Sequence, residues 1–119
     1  MSLLVASGCG SDAPSGPSGP SGGGGGNTWA SLALMIEPRQ EVGVAVIGNR
    51  IFVAGGFRGN GTTADTLEIY DVQQNAWSLG APLPVAVNHP GAAAVGGRLY
   101  VVGGALGSGA STDAVQEYD

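Results

Sequence analysis

Short apolar runs alternate along the chain with glycines and turn-forming polar residues. The runs are too short for helices and are rich in valine and isoleucine, a combination that favours β-strands. Gly48-Asn49 and Gly96-Gly97 are suited to two-residue turns, because such turns need positive φ. The pattern therefore predicts an all-β chain of antiparallel hairpins. The predicted strands cover 42–47, 50–54, 66–70, 76–79, 91–95, 98–102 and 114–118.

The strand pattern repeats at an offset of 48 residues. Between 42–71 and 90–119, 12 of 30 aligned positions are identical without a gap. Such an offset is typical of repeat proteins, in which each repeat buries its apolar face against a neighbour. A further match, Trp29 with Trp77, predicts a short strand at 27–32. The change from Ile69 to Glu117 breaks the pattern, and we expect Glu117 near a strand end or in a twisted strand.

Three regions are predicted along the chain: 1–9, 10–26 and 27–119. Residues 10–26 contain glycine, serine, proline, alanine and one aspartate, a composition that predicts a disordered linker. Small residues precede Cys9, so 1–9 resembles the end of a truncated bacterial lipoprotein signal. That resemblance implies a lipidated Cys9 and an extracytoplasmic, membrane-anchored protein. The apolar part is short and lacks a positive region before it, so an incidental cysteine is the alternative.

Charge and composition exclude several classes of partner and site. The net charge is −5 and the four basic residues are scattered arginines, which argues against nucleic acid because phosphates need a basic patch. No apolar run has the roughly 20 residues of a membrane-spanning helix. Cys9 is the sole cysteine and His89 the sole histidine, so neither a disulfide within the chain nor a metal site is predicted.

The repeat resembles the Kelch motif. The resemblance rests on a double glycine after the second strand, Tyr-Asp after the third and tryptophan in the fourth. These motif residues are Gly55, Gly56, Tyr70, Asp71, Trp77, Gly103, Gly104, Tyr118 and Asp119. It implies a partial β-propeller, with the end of one blade at 27–32, a four-stranded blade at 42–79 and three strands of the next at 90–118. Such a chain is expected to need further blades, from a longer protein or another chain, and to be marginal, dimeric or aggregating alone.

Recognition is expected at the loops, because a rigid scaffold commonly carries it there. The loops 34–41, 57–64, 80–89 and 105–112 should open on one face of such blades. Their candidate ligand-binding side chains are Arg39, Phe57, Arg58, Asn60 and His89. The expected function is a non-catalytic binding or scaffolding module for a protein or a carbohydrate, without a cofactor. The alternative is an extracytoplasmic enzyme resembling carbohydrate oxidases or sugar-acid epimerases, with its active residues in other blades.

Overall fold

The computed structural model describes residues 26–119. The predicted signal segment, Cys9 and nearly all of the predicted linker lie outside the described residues. Contacts divide the chain into two units at Ser31 and Leu32. The strand predicted at 27–32 is not formed, and the Trp29 side chain is fully exposed. A strand needs a hydrogen-bonded neighbour, and none of the described strands pairs with this segment.

The described residues form nine short strands and no helix, and the all-β fold class is confirmed. The longer strands lie within one residue of the predicted bounds. Two strands of two residues each, β1 and β4, were not predicted, because so short a segment has no readable periodicity. The strands are β1 Arg39–Gln40, β2 Gly43–Ile47, β3 Arg50–Ala54, β4 Phe57–Arg58, β5 Leu67–Asp71, β6 Ala76–Leu79, β7 Gly91–Val95, β8 Arg98–Val102 and β9 Val115–Tyr118.

The strands form two repeat-related antiparallel sheets and one small ribbon. The first blade has the order β2-β3-β5-β6, the second blade has the order β7-β8-β9, and β1 pairs with β4. The pairing register repeats as well, since Ile51 faces Tyr70 in the first blade and Leu99 faces Tyr118 in the second. This arrangement matches the partial Kelch-type propeller that the sequence predicts.

The core lies between the two blades. Strand alternation directs every second side chain of the first blade toward the second blade. A connecting segment, residues 80–90, runs between the sheets and adds its own apolar side chains. The buried cluster contains Ala45, Phe52, Ala54, Leu67, Ile69, Leu83, Val87, Leu99 and Val101. Each large aliphatic side chain buried there contributes about 1.5–3 kcal/mol, so the interface between blades is a major source of stability.

The motif aromatics pack within and between the blades. Tyr70 and Trp77 lie on paired strands with ring centroids 5.0 Å apart. Tyr70 donates its hydroxyl to Asn75 Oδ1 (2.7 Å), and the Trp77 indole donates to the Ala33 carbonyl (2.9 Å). The corresponding Tyr118 instead contacts Phe52 of the first blade at a centroid distance of 6.1 Å.

A buried carboxylate fastens the segment before β1 to the first blade. Glu68 is fully buried on β5 and accepts hydrogen bonds from the backbone N–H groups of Ile36 (2.8 Å) and Glu37 (3.2 Å). Arg39 Nη2 lies 3.1 Å from Glu68 Oε1, and both side chains are fully buried. The arginine also donates to the backbone carbonyls of Val53, Gly55 and Thr66. The buried charge is therefore paired and hydrogen-bonded, as burial requires.

In the second repeat, neutral side chains hold the corresponding segment to the second blade. Gln116 stands where Glu68 stands in the first repeat, and Val87 stands in place of Arg39. Gln116 Oε1 accepts from Val85 N–H (2.8 Å), and its Nε2 donates to the Val85 carbonyl (3.1 Å). Val87 is fully buried. When the arginine is absent, its carboxylate partner is absent too, so neither repeat buries an unpaired charge.

Gly55 and Gly48 give a matched test of the double-glycine motif. Both have positive φ, +64° and +56°, but a Cβ on Gly48 would meet nothing within 4 Å, whereas one on Gly55 would overlap the Val87 carbonyl. We expect Gly55→Ala to lower the free energy of unfolding by about 3 kcal/mol and Gly48→Ala by about 1 kcal/mol. Urea denaturation measures both, and equal losses would show that the close approach of the connecting segment is unimportant.

The second repeat replaces the buried Glu68–Arg39 pair by neutral residues, and this difference predicts the outcome of a double-mutant cycle. Glu68→Gln alone leaves the Arg39 charge buried without its partner, and we expect a loss of about 3 kcal/mol of unfolding free energy. Combining Glu68→Gln with Arg39→Val reproduces the pair found in the second repeat and should recover most of that loss. A denaturation cycle over the wild type, both single variants and the double variant gives the coupling energy. Additive losses would contradict this account.

Candidate functional site

Pairing between distant segments brings the predicted loops together. In the first blade, β1 and β4 pair Arg39 with Arg58 and Gln40 with Phe57. In the second blade, a bridge joins Asn88 to Ala105. These contacts hold each segment before a blade's first long strand against the loop after its second.

Two hydrogen bonds connect the loops of the two blades. The backbone N–H of His89 donates to the Glu41 carbonyl (2.9 Å). The Asn88 amide donates to Thr63 Oγ1 (2.8 Å), and the Asn88 side chain is almost fully buried. The four predicted loops therefore share one face, as the sequence predicts.

Arg39 does not reach the surface of this face. The sequence placed it among the exposed loop side chains, but its side chain is fully buried. The reason is the carboxylate of Glu68, which binds the guanidinium inside the first blade. Arg39 therefore supports the loop from beneath, and we correct its assignment from ligand-binding to structural.

Arg58 is also engaged within the fold. Its guanidinium pairs with Glu37 (2.9 Å) and with Asp65 (3.1 Å), and it donates to the Thr63 carbonyl (3.0 Å). The side chain is 28% exposed. These bonds tie the loop after β4 to the segment before β1, so Arg58 has a positioning role even where its edge meets solvent.

Phe57 and His89 meet across the two blades. Their rings stand edge to face with centroids 5.8 Å apart. His89 Nε2 lies 3.3 Å from Glu41 Oε2, and its Nδ1 lies 2.7 Å from Asn88 Oδ1. The imidazole side chain is 55% exposed. An aromatic ring, an imidazole and a carboxylate are thereby presented together.

Glu41 and His89 occupy the same position in successive repeats. Both backbones have positive φ, +55° and +53°, which is uncommon for residues other than glycine. The shared conformation turns the chain into the first long strand of each blade and sets the two side chains side by side. Glu41 was not among the predicted site residues, although its place in the repeat relates it directly to His89.

Asn60 lies at the exposed tip of the loop after β4. Its Oδ1 accepts from Thr62 N–H (3.0 Å) and from the Thr62 hydroxyl (2.7 Å), which fixes the loop as an asparagine turn. Beside it, a groove of about 380 Å³ opens between the loop and β1. We call the solvent-facing part of this region the loop surface. The loop surface comprises Gln40, Glu41, Phe57, Asn60 and His89.

The loop surface has the chemistry of a recognition site. It offers hydrogen-bond donors and acceptors, one aromatic edge and a carboxylate on loops braced by ion pairs. Within residues 26–119, no group of three His, Cys, Asp or Glu side chains could hold a metal ion. The same residues include no helix of the length and hydrophobicity needed to cross a membrane.

Comparison with known proteins gives an independent result. The Kelch motif family matches residues 38–84. Kelch-like protein 7 of Rattus norvegicus is 40% identical over 57 residues, which is 48% of this chain and 10% of the relative. Kelch-like protein 4 of Homo sapiens is 35% identical over 57 residues, covering 48% of this chain and 8% of the relative.

A third relative gives a match of similar identity and coverage. Kelch-like protein 36 of Mus musculus is 36% identical over 62 residues, covering 51% of this chain and 10% of the relative. The chain thus spans about a tenth of the length of the relatives it matches. The matched segment, the repeat offset and the two antiparallel blades all indicate the same kind of repeat. Residues 38–84 therefore carry a Kelch motif, and the resemblance to Kelch-repeat proteins that the sequence predicts is confirmed.

Proposed function

We propose that this chain is a non-catalytic binding module that recognises a protein ligand through the loop surface. Kelch repeats suggest a protein-binding or scaffolding role. The observation that carries the proposal is the way in which both blades build one braced surface. Arg58 and Asn88 hold the loops in place by hydrogen bonds, while His89 and Asn60 stay open to solvent.

The bracing favours binding for a physical reason. A ligand that meets a flexible loop must first order it, which costs free energy. Here the ion pairs of Arg58 with Glu37 and Asp65 order the loop before any ligand arrives. The surface charge is mixed, since the Glu41 carboxylate lies beside the His89 imidazole. A polar, partly aromatic protein patch would complement it.

A carbohydrate is the second candidate ligand. The partly exposed ring of Phe57 lies in the wall of the groove next to Gln40, and Asn60 extends from the same loop. An aromatic ring flanked by amide side chains offers both an apolar platform and hydrogen bonds to hydroxyl groups. A screen with both ligand classes separates the two candidates.

Two substitutions test the loop surface. The chain is first screened on a protein array and a glycan array, and any ligand found is then titrated by calorimetry. We expect Asn60→Ala and His89→Ala each to weaken binding about tenfold, because each removes a solvent-facing polar group and leaves the ion pairs of Arg58 intact.

The control is Gln73→Ala, which changes an exposed residue in the turn between β5 and β6. It should bind as the wild type does. Equal losses for Gln73→Ala, or no loss for Asn60→Ala and His89→Ala, would refute the loop surface as the binding site. Arg58→Ala is unsuitable as a test, because it also breaks two ion pairs within the fold.

We also propose that the protein is lipidated at Cys9 and held at the outside of a bacterial membrane. The small residues before Cys9 and the Gly/Ser/Pro-rich residues after it support this proposal. Mass spectrometry of the protein expressed from its own gene in a bacterium should find a lipid-modified Cys9 in the membrane fraction. Cys9→Ser should move the protein to the soluble fraction. An unmodified Cys9 in membranes would contradict the proposal.

A further inference from the structure

The tip of the loop after β4 is a short hairpin turn that exposes an asparagine directly before a glycine. Arg58 N–H donates to the Thr62 carbonyl (2.9 Å), and Gly61 N–H donates to the Arg58 carbonyl (2.8 Å). Gly61 has a φ of +80°. A turn followed by a residue in the left-handed region is a common three-residue hairpin loop, and here it leaves Asn60 and Gly61 exposed to solvent.

An asparagine followed by glycine carries an electrophile and a nucleophile in one dipeptide. The backbone nitrogen of Gly61 can attack the side-chain carbonyl carbon of Asn60 and close a five-membered ring, because the two groups belong to adjacent residues. A side chain on the following residue hinders this approach, and glycine has none. Asn60 is the one asparagine of the chain that precedes a glycine, since the other four precede threonine, arginine, alanine and histidine.

Two of the other asparagines are also held by the fold. Asn75 Oδ1 accepts a hydrogen bond from the Tyr70 hydroxyl (2.7 Å). Asn88 is 2% exposed, and its side-chain amide donates to Thr63 Oγ1 (2.8 Å). Asn60 therefore combines solvent exposure with the least hindered neighbouring nitrogen.

We propose that Asn60 is a site of spontaneous deamidation. The Gly61 nitrogen forms a bond to Asn60 Cγ, the bond from Cγ to Nδ2 breaks, and Nδ2 leaves as ammonia with the proton of the Gly61 N–H. Water then opens the resulting succinimide at either of its carbonyl carbons, which restores the Gly61 N–H. The product is an aspartate or an isoaspartate at position 60, and no atom is oxidised or reduced.

The folded turn engages both reacting groups in other bonds. The Gly61 N–H donates to the Arg58 carbonyl, although the nitrogen must lose this proton to attack. Asn60 Oδ1 accepts from the N–H (3.0 Å) and the hydroxyl (2.7 Å) of Thr62, which fixes the side chain. Attack therefore requires local opening of the turn, and its rate depends on the free energy of that opening. The fold delays the reaction without preventing it.

The second repeat forms the same turn without the reactive amide. Gly109 N–H donates to the Leu106 carbonyl (2.8 Å), Leu106 N–H donates to the Ala110 carbonyl (2.8 Å), and Gly109 has a φ of +85°. Ser108 stands where Asn60 stands in the first repeat, and its hydroxyl accepts from Ala110 N–H (3.4 Å). Serine has no side-chain carbonyl carbon. Asn60→Ser is therefore a substitution that the repeat itself shows to be compatible with the turn.

Deamidation changes the chemistry of the loop surface. It replaces an amide, which donates and accepts hydrogen bonds, by a carboxylate, which only accepts. It also adds a negative charge to a chain whose net charge is −5. The isoaspartate product inserts a further methylene group into the main chain, which disturbs the pairing of Arg58 with Thr62. We expect the modified protein to bind its ligand more weakly, an expectation that rests on the proposed function, whereas the modification itself does not.

Peptide mapping by mass spectrometry tests the site. The 119-residue chain is incubated in neutral buffer and in concentrated urea, and fragment spectra measure the conversion at each asparagine over several weeks. We expect conversion at Asn60 to be at least about tenfold faster than at any other asparagine in urea, because glycine does not hinder the attack. In buffer, conversion at Asn60 should be at least about tenfold slower than in urea, because the turn must first open. Circular dichroism verifies that the chain is folded in buffer.

Asn60→Ser is the matched control, since it keeps the turn and removes the carbonyl carbon. It should abolish conversion at position 60 and leave the circular dichroism spectrum unchanged. Equal conversion at another asparagine in urea, no conversion at Asn60 in urea, or equal rates in the folded and unfolded chain would overturn the proposal. The measurement needs no ligand, so its failure is distinguishable from a failure of the proposed function.

Discussion

The structure depends on one packing constraint: each blade is apolar on both faces and needs cover on both. Between the blades, the connecting segment and the two sheets meet this need with Leu83, Val87 and their neighbours. The contact is close, since a Cβ on Gly43 would lie only 3.1 Å from Ala92 Cβ. The sheets can approach so closely because β2 and β7 carry small residues at the contact, Gly43 and Ala45 on one strand and Ala92 on the other. The strand positions, the glycine stops and the path of the connecting segment all serve this contact.

The segment that precedes the first long strand of each blade, here called the entering segment, is held to its blade by hydrogen bonds. These bonds show how a repeat tolerates substitution. Arg39 with Glu68 and Val87 with Gln116 are two solutions of one problem, which is to bond the backbone of the entering segment without burying a net charge. The charged solution adds hydrogen bonds from the guanidinium to the sheet. The neutral solution avoids the desolvation of two ions. Because both solutions occur in one chain, the requirement belongs to the repeat and is independent of the residue types.

The strands and their pairing could be predicted from the sequence, because local apolar runs and a fixed offset carry that information. The β1 and β4 pair could not, since it depends on contacts between separate loops. The same reason explains Arg39 and Arg58. Both look like exposed loop cations in the sequence, and only the fold reveals the carboxylates of Glu68, Glu37 and Asp65 that bind them.

A repeat brings equivalent positions of neighbouring blades into contact, and this geometry explains how such a scaffold acquires specificity. Glu41 and His89 share a backbone conformation and touch each other, yet they differ in charge and shape. The backbone conformation is set by the fold, so a substitution at this position changes the surface chemistry at little structural cost. The residues that differ between repeats at equivalent exposed positions are therefore where recognition can diverge, whereas the double glycines and Tyr-Asp pairs keep the blades alike.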